Sequence, residues 1–254
     1  MNAKNLYLMS LLILAVGLIV GLLTLAAPAG VWLGLWDFRG GFAILQASFP
    51  FTSWIALLCL ILACVLSVLA QINHTGNTTK VAALAFTGTL LVAIAWYIPS
   101  TFEARLSYPR IHDVSTDVDN PPAYVAIAPL RANAPNTMVY GAAQGLEPGE
   151  NARLQREAFP DLVPRLLDAG PQEVFERALT ALQSMGLEIV AAVPEEGRIE
   201  ATATTFWFRF KDDVVIRIRP QGNQTLIDAR SLSRVGGGDA GTNGLRLQEF
   251  FSRL

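Results

Sequence analysis

The sequence predicts a three-helix transmembrane region followed by a two-layer α+β domain, in which two helices cover an antiparallel four-stranded sheet. The first observation is that the only Asp, Glu, Lys, Arg or His side chains between residues 6 and 97 are Asp37, Arg39, His74 and Lys80. The second is that this stretch holds three long apolar runs. The third is that the rest of the chain carries helical and strand-like patterns separated by turn residues.

Each apolar run is long enough to cross a bilayer. A helix of residues 6–27 rises 1.5 Å per residue and so spans a hydrocarbon core of about 30 Å. Residues 54–72 and 81–97 are close to the lower length limit for a span. Residues 1–98 are therefore predicted to be a membrane region. Lys4 and the small residues near Ala27 also resemble a cleaved signal peptide, but the apolar run is longer than usual and two further spans follow it.

The connection between the first two runs, residues 28–51, is too apolar for a free loop and is interrupted by four glycines. It is predicted to lie along the membrane interface as a short amphipathic segment. Asp37 and Arg39 either pair within it or reach water separately. Five aromatic residues mark the interface on the side of the soluble domain. They are Trp32, Trp36, Trp54, Trp96 and Tyr97.

The soluble half begins with a segment of little periodicity. Residues 99–158 are rich in Pro, Asn, Asp and Ala and are predicted to be an extended linker with short strands such as 124–127. The compact domain is assigned to residues 159–254. Pro171 opens an amphipathic helix that Gly186 closes. A last helix follows the glycines at 236–238, with Asp239 or Thr242 as its cap and an apolar stripe ending at Leu254.

Four strand-like runs lie between these helices, at residues 187–193, 198–205, 214–220 and 225–233. The short turns between them indicate an antiparallel meander. Alternation along the second and third runs puts apolar residues such as Ile199 and Ile216 on one face and charged residues such as Glu200 and Arg217 on the other. The two helices are expected to cover the apolar face.

These strands carry a recognisable set of motifs. Residues 197–201 read GRIEA, 204–205 read TT, 210–217 read FKDDVVIR and 231–236 read SLSRVG. Together with IHDVSTD at 111–117 and FPDL at 159–162, they resemble domain-of-unknown-function family 1499 over roughly residues 110–254. Such a resemblance implies a domain often found behind membrane spans, and no established activity. The sequence departs from the family pattern at Ala240 and at an inserted Thr242.

The charged face of the sheet is the main candidate site. Because neighbouring strands place opposite residues about 5 Å apart, its side chains can converge. The face is either a solvated set of cross-strand ion pairs, or a site for an anion or a partner that uses a surplus of arginines over acids. The candidate ligand residues are Arg217, Arg219, Arg230, Arg234, Glu200 and Asp213, with Asp228 as an internal partner.

Metal and catalytic chemistry have weaker support. His112, Asp113, Asp117 and Asp119 are the best metal candidates, but Asp residues in such a stretch more often make local turns. No metal and no cofactor is therefore predicted. Known catalytic templates are absent. Asp212 and Asp213 are adjacent, so in a strand they face opposite ways. Cys59 and Cys64 are expected to be packing residues within a span.

These observations predict a non-enzymatic structural or binding protein of the bacterial envelope. A net charge of −2 without a basic stripe argues against nucleic acid as a partner. The expected partners are the lipid bilayer and another membrane or envelope protein. The location is expected to be the inner membrane, with the C-terminal domain in the periplasm, although charge alone leaves orientation open. The alternatives are an enzyme acting on a lipid or cell-wall substrate through Asp212, Asp213 and His112, and an accessory subunit of a larger membrane complex.

Overall fold

A computed structural model describes residues 2–74, 76–142 and 145–254 of the chain. Its backbone contacts divide the chain into two compact units, Met1–Ala104 and Arg105–Leu254. Each unit has an apolar core of its own.

The N-terminal unit contains the three predicted apolar helices. They are α1 (Ala3–Trp32), α2 (Phe38–Ile72) and α3 (Thr78–Glu103). All three are long and apolar enough to cross a membrane. Each helix is longer than the apolar run that predicted it. A prolonged helix is favoured in lipid because it satisfies its own backbone hydrogen bonds there.

The connection between α1 and α2 differs from the prediction, because residues 28–51 do not form a separate interfacial segment. Both helices extend into this region and leave only a short turn. The Trp36 indole N–H donates to the Ala27 carbonyl at 3.0 Å, and its ring lies where a Cβ on Gly30 would stand. Asp37 caps α2 by accepting the Gly40 N–H at 3.1 Å, and it also pairs with the exposed Arg39. Gly30 and Gly40 leave room for the Trp36 side chain and do not break the helices.

Two glycines allow the backbones of α1 and α3 to approach closely. A Cβ on Gly17 would lie 2.3 Å from the Gly88 carbonyl oxygen, and one on Gly88 would lie 2.4 Å from the Ile13 carbonyl oxygen. Small residues at such crossings are typical of helices that associate in membranes. Cys59 is buried among these helices, Cys64 is exposed, and neither forms a disulfide. Cys59 therefore agrees with the prediction of a packing residue, whereas the exposed Cys64 does not.

The C-terminal unit is built on a sheet of six strands rather than the predicted four. Every strand pairs antiparallel to its neighbour, in the order β1-β6-β5-β4-β3, with β2 also pairing to β6. Two added strands of three residues each border β6, and strands that short leave no periodicity for sequence analysis to detect. The strands are β1 (Asp113–Ser115), β2 (Arg165–Leu167), β3 (Glu188–Val193), β4 (Arg198–Thr204), β5 (Lys211–Gln221) and β6 (Gln224–Ser233).

Both predicted helices of this unit are present. Helix α5 (Pro171–Ser184) and helix α6 (Thr242–Ser252) pack on the apolar face of the sheet, and a further helix, α4 (Glu150–Ala158), precedes them. The N-cap residue of α6 is Gly241 rather than the predicted Asp239 or Thr242. Asp239 nevertheless accepts the N–H groups of Gly241 and Asn243 at the start of the helix. The buried core between sheet and helices includes Ile199, Val214, Ile216, Ile227, Ala229, Val174, Phe175, Leu182, Leu247, Phe250 and Phe251.

The region assigned to an extended linker behaves differently. Residues 105–158 belong to the compact C-terminal unit and contribute β1 and α4 to it. Residues 116–140, which we call the strap, lie on the polar face of the sheet. Within the strap, Tyr124 and Ile127 pack on Val215 and Leu232 of the sheet. The sheet is therefore covered on both faces, because an irregular segment with no periodic pattern fills the face that was expected to be open.

Candidate functional site

The candidate site is the polar face of the sheet, and strand register builds it. Antiparallel pairing places Thr202 opposite Asp213 and Arg217 opposite Asp228. Alternate residues of a strand point to the same face. Five of the six predicted ligand residues therefore share this face, and Arg234 directly follows β6. The five are Glu200, Asp213, Arg217, Arg219 and Arg230.

Asp213 is the centre of the first cluster on this face and is fully buried. Its Oδ2 accepts hydrogen bonds from Arg131 at 2.6 Å and from Arg234 at 2.9 Å. Its Oδ1 accepts from the Thr202 hydroxyl and again from Arg234, both at 2.8 Å. Burial acts to raise the pKa of Asp213, but the hydrogen bonds from Arg234, Thr202 and Arg131 outweigh it and hold that pKa below its ordinary value.

Glu200 is the centre of the second cluster and binds the strap. Its carboxylate accepts the consecutive backbone N–H groups of Val125, Ala126 and Ile127 at 2.8 to 3.1 Å. These amides precede the 3₁₀ turn Ala128–Arg131, so their N–H groups have no helical partners of their own. Arg198 pairs with the same carboxylate. A buried negative charge thus holds the middle of the strap on the sheet.

Arg230 forms a third cluster, with β1. Its guanidinium binds both carboxylate oxygens of Asp113, at 2.9 and 2.7 Å. It also donates to the Met138 carbonyl at 2.7 Å and lies 5.3 Å from the Tyr124 ring centroid. Burial opposes the charge, but Asp113 outweighs it and raises the pKa of Arg230. Burial also raises the pKa of Tyr124. Arg230 therefore joins β6 to β1 and to the strap, and its guanidinium is not available to a ligand.

Asp228 is shared by two arginines at the margin of the face. Its Oδ2 accepts from Arg217 at 2.9 Å and from Arg219 at 2.7 Å, and Arg217 also reaches Asp117 at 3.2 Å. Asp228 Oδ1 and Arg219 Nε are buried and have no hydrogen-bond partner among the described residues. The side chain of Arg217 is 21% exposed and that of Arg219 is 41% exposed. This margin is where the charged face reaches solvent.

The residues of this face lie within the region that matches a known protein family. The family model described as Protein of unknown function (DUF1499) matches residues 113–254, more than half of the chain. The chain belongs to this family. No curated protein matches it. Since the match begins at the first residue of β1, the clusters around Asp213, Glu200 and Arg230 rest on the strands of this DUF1499 domain.

The face of the DUF1499 domain differs from the expected open surface in its charge balance. The sequence analysis counted more arginines than acids on this face. In the structure, Asp113 binds Arg230 and Asp117 binds Arg217, so these arginines are not in surplus. Sequence analysis missed Arg131 as a partner of Asp213, because it lies in a segment without periodicity. Arg234, which was among the predicted residues, already pairs with Asp213, so nothing in the sequence pointed to a second arginine.

The metal candidates are not assembled into a site. Asp113 pairs with Arg230, Asp117 with Arg217, and the exposed Asp119 lies 3.7 Å from Arg156. His112 is buried and burial lowers its pKa, while its Nδ1 lacks a hydrogen-bond partner among the described residues. Among the residues that the structure describes, no group of three or more His, Cys, Asp or Glu is placed to hold a metal ion.

The residues of the enzyme alternative are likewise separated. Asp212 points to the helix face of the sheet and binds Arg246 at 2.7 Å, whereas Asp213 points to the strap. Asn243 joins the same helix-face network by donating to the His112 carbonyl at 3.0 Å. Burial, followed by the proximity of Asp212, raises the pKa of Asp239 to about 6, although N–H groups of Gly241 and Asn243 stabilise its charge. These carboxylates cap and connect α6 and do not share one accessible cleft.

Proposed function

We propose that this protein is a non-enzymatic binding protein of the bacterial envelope, anchored in the inner membrane by α1, α2 and α3. Its DUF1499 domain lies in the periplasm and receives an acidic group of a partner envelope protein at Arg219. The proposal is supported by the contrast between the paired, buried charges on the sheet and the exposed arginines at its margin. Buried carboxylates and arginines bond to one another beneath the strap, as in a rigid scaffold, and the face reaches solvent at the Arg217 and Arg219 margin.

Arg219 is chemically suited to this role. Its guanidinium contacts one oxygen of Asp228, an oxygen that Arg217 also uses. The buried Nε has no hydrogen-bond partner among the described residues. Arginine presents donors in a planar fork that matches a carboxylate. A carboxylate from a partner would bind the exposed part of the Arg219 guanidinium, whose side chain is 41% exposed.

Photo-crosslinking in a bacterial host tests the partner site. A photoreactive phenylalanine replaces Gln221, which is exposed and lies two residues beyond Arg219 on the same face. The matched control carries the same group at the exposed Thr180 on α5. We expect a discrete protein adduct from position 221 that weakens with Arg219→Glu, and none from position 180. Absence of an adduct at 221, or one that Arg219→Glu leaves unchanged, would refute the binding site.

Reporter fusions test the location. Alkaline phosphatase, which is active only in the periplasm, is fused after residue 80 or after residue 254. Three spans place the two positions on opposite sides of the membrane, so we expect activity at 254 and none at 80. Activity at 80 alone would show a cytoplasmic DUF1499 domain, which would overturn the periplasmic assignment and leave the anchoring intact.

A further inference from the structure

The outward side of the strap carries apolar side chains and no charge. Val125 and Leu130 are each 55% exposed, and Val139 is 66% exposed. Arg131 is the only charged residue between positions 121 and 140, and its side chain is only 1% exposed because it binds the sheet. Over residues 121–140, all of which the structure describes, no charged side chain therefore reaches solvent. We call the exposed residues of this stretch the outer strap surface.

The strap is fixed to the sheet along this stretch, so the outer strap surface has a defined shape. The Ile127 N–H donates to the Glu200 carboxylate at 2.8 Å. Further along, the Asn136 side chain donates to the Ser233 carbonyl at 3.1 Å. A surface that is already held in place loses less conformational freedom on binding than a mobile one. The outer strap surface is therefore preorganised for contact with a partner.

The residue types of the outer strap surface are those of a protein interface. Single exposed apolar residues are ordinary on a protein surface, whereas several of them within one fixed segment mark an interaction site. Pro129 and Pro135 are exposed alongside Val125, Leu130 and Val139. The centre of an interface between identical chains is apolar and poor in charged residues. The outer strap surface has both properties.

The lack of charge favours a second copy of the chain as the partner. In a two-fold contact, each residue near the axis meets the same residue of the other copy, so a charged side chain there would face a like charge. The outer strap surface avoids this repulsion, whereas the exposed Arg217 and Arg219 margin would not. We propose that two copies of the chain associate through their outer strap surfaces. This association is separate from the proposed role of Arg219.

The protein mass of the full chain in detergent tests the association. Multi-angle light scattering, corrected for bound detergent, is applied to the original chain and to Leu130→Asp and Val139→Asp. The matched control is Val163→Asp, which places the same charge at a 53% exposed valine outside the strap. We expect the original chain and the control to have a protein mass of twice 27.5 kDa. Both strap variants are expected to have half that mass, because the two new carboxylates repel each other across the axis.

Three results of this measurement would overturn the proposal. A mass of one chain for the original protein would leave the outer strap surface to a different partner. A dimer that persists in both strap variants would be held by α1, α2 and α3 or by another surface. Loss of the dimer in Val163→Asp as well would show a general effect of added charge. Circular dichroism checks that each variant has the secondary structure of the original chain.

Cysteine cross-linking gives a second test that does not depend on how the acidic variants fold. Cys59→Ala and Cys64→Ala remove the native thiols, and Leu130→Cys or Val139→Cys then adds one thiol to the outer strap surface. The control is Thr180→Cys, an exposed position on α5. We expect a short bismaleimide to join two copies through a strap cysteine and not through position 180. No covalent dimer from either strap position, or an equal yield from position 180, would overturn the proposal.

Discussion

Replacing Asp213 with alanine is expected to destabilise the DUF1499 domain by about 3–5 kcal/mol, the usual cost of breaking a buried ion pair from one side. The loss leaves two guanidinium groups without their carboxylate. That of Arg131 is only 1% exposed and cannot recover its hydration without moving the strap. The measurement is denaturant unfolding of the full chain in detergent, followed by amide exchange in β5 and β6.

Glu157→Ala is the matched control for this substitution. Glu157 pairs with Arg153 at 2.7 Å on α4, but its side chain is 61% exposed. An exposed pair of this kind contributes about 0.3–0.5 kcal/mol. Equal effects of Asp213→Ala and Glu157→Ala would mean that the buried cluster adds nothing to stability, contrary to its geometry.

The contribution of the Asp213 cluster to the free energy of unfolding is also expected to depend on pH. The pKa of Asp213 is lowered from 3.8 in the folded chain, so its contribution is present above pH 3.8 and is lost as pH falls through the folded value. Asp213→Asn removes that titration. The difference in free energy of unfolding between the original chain and Asp213→Asn is therefore expected to be constant above about pH 5 and to shrink below pH 3.8.

Replacing Glu200 with alanine is expected to release the strap. Three backbone N–H groups lose their acceptor, and each buried donor left unsatisfied costs about 1–3 kcal/mol. Part of this cost is recovered as water enters, so we expect a local loss of about 3 kcal/mol. Amide exchange at residues 125–127 then speeds up on the order of a hundredfold, since about 1.4 kcal/mol corresponds to a factor of ten. Hydrogen–deuterium exchange of the full chain measures this directly.

Glu196→Ala is the control for Glu200→Ala. It removes an acidic partner of Arg198 without removing the acceptor of the strap amides. Glu196 also pairs with Arg198, but its side chain is 57% exposed. The strap amides donate to Glu200. Glu196→Ala should leave exchange at residues 125–127 unchanged. Unchanged exchange in Glu200→Ala itself would show that other contacts, such as those of Tyr124 and Ile127, hold the strap without the carboxylate.

The clusters around Asp213 and Glu200 explain why the polar face carries many buried charges and yet forms no cleft. A buried ion pair adds little net stability over a well-packed apolar pair, but its geometric demands are strict. Here Asp213 and Glu200 specify where an irregular segment must lie on the sheet. We therefore interpret the buried charges of this face as the groups that fix the position of the strap on the sheet.

The elements with a repeating local signal could be predicted from the amino-acid sequence. The three apolar helices follow from length and hydropathy, and α5 and α6 from apolar residues at helical spacing. Strands β3 to β6 follow from alternation, which also separated the apolar face from the charged face. Family membership was visible because its motifs lie on these same strands.

The segment that covers the charged face and the pairing of its charges could be seen only in the folded chain. Strands β1 and β2 are three residues long and the strap is irregular, so none of them has a period that could be read from the chain. Arg230 pairs with Asp113 across 117 positions and Arg131 with Asp213 across 82. A guanidinium binds whichever carboxylate the fold brings within hydrogen-bond distance, and that distance depends on the folded path of the chain rather than on spacing along it.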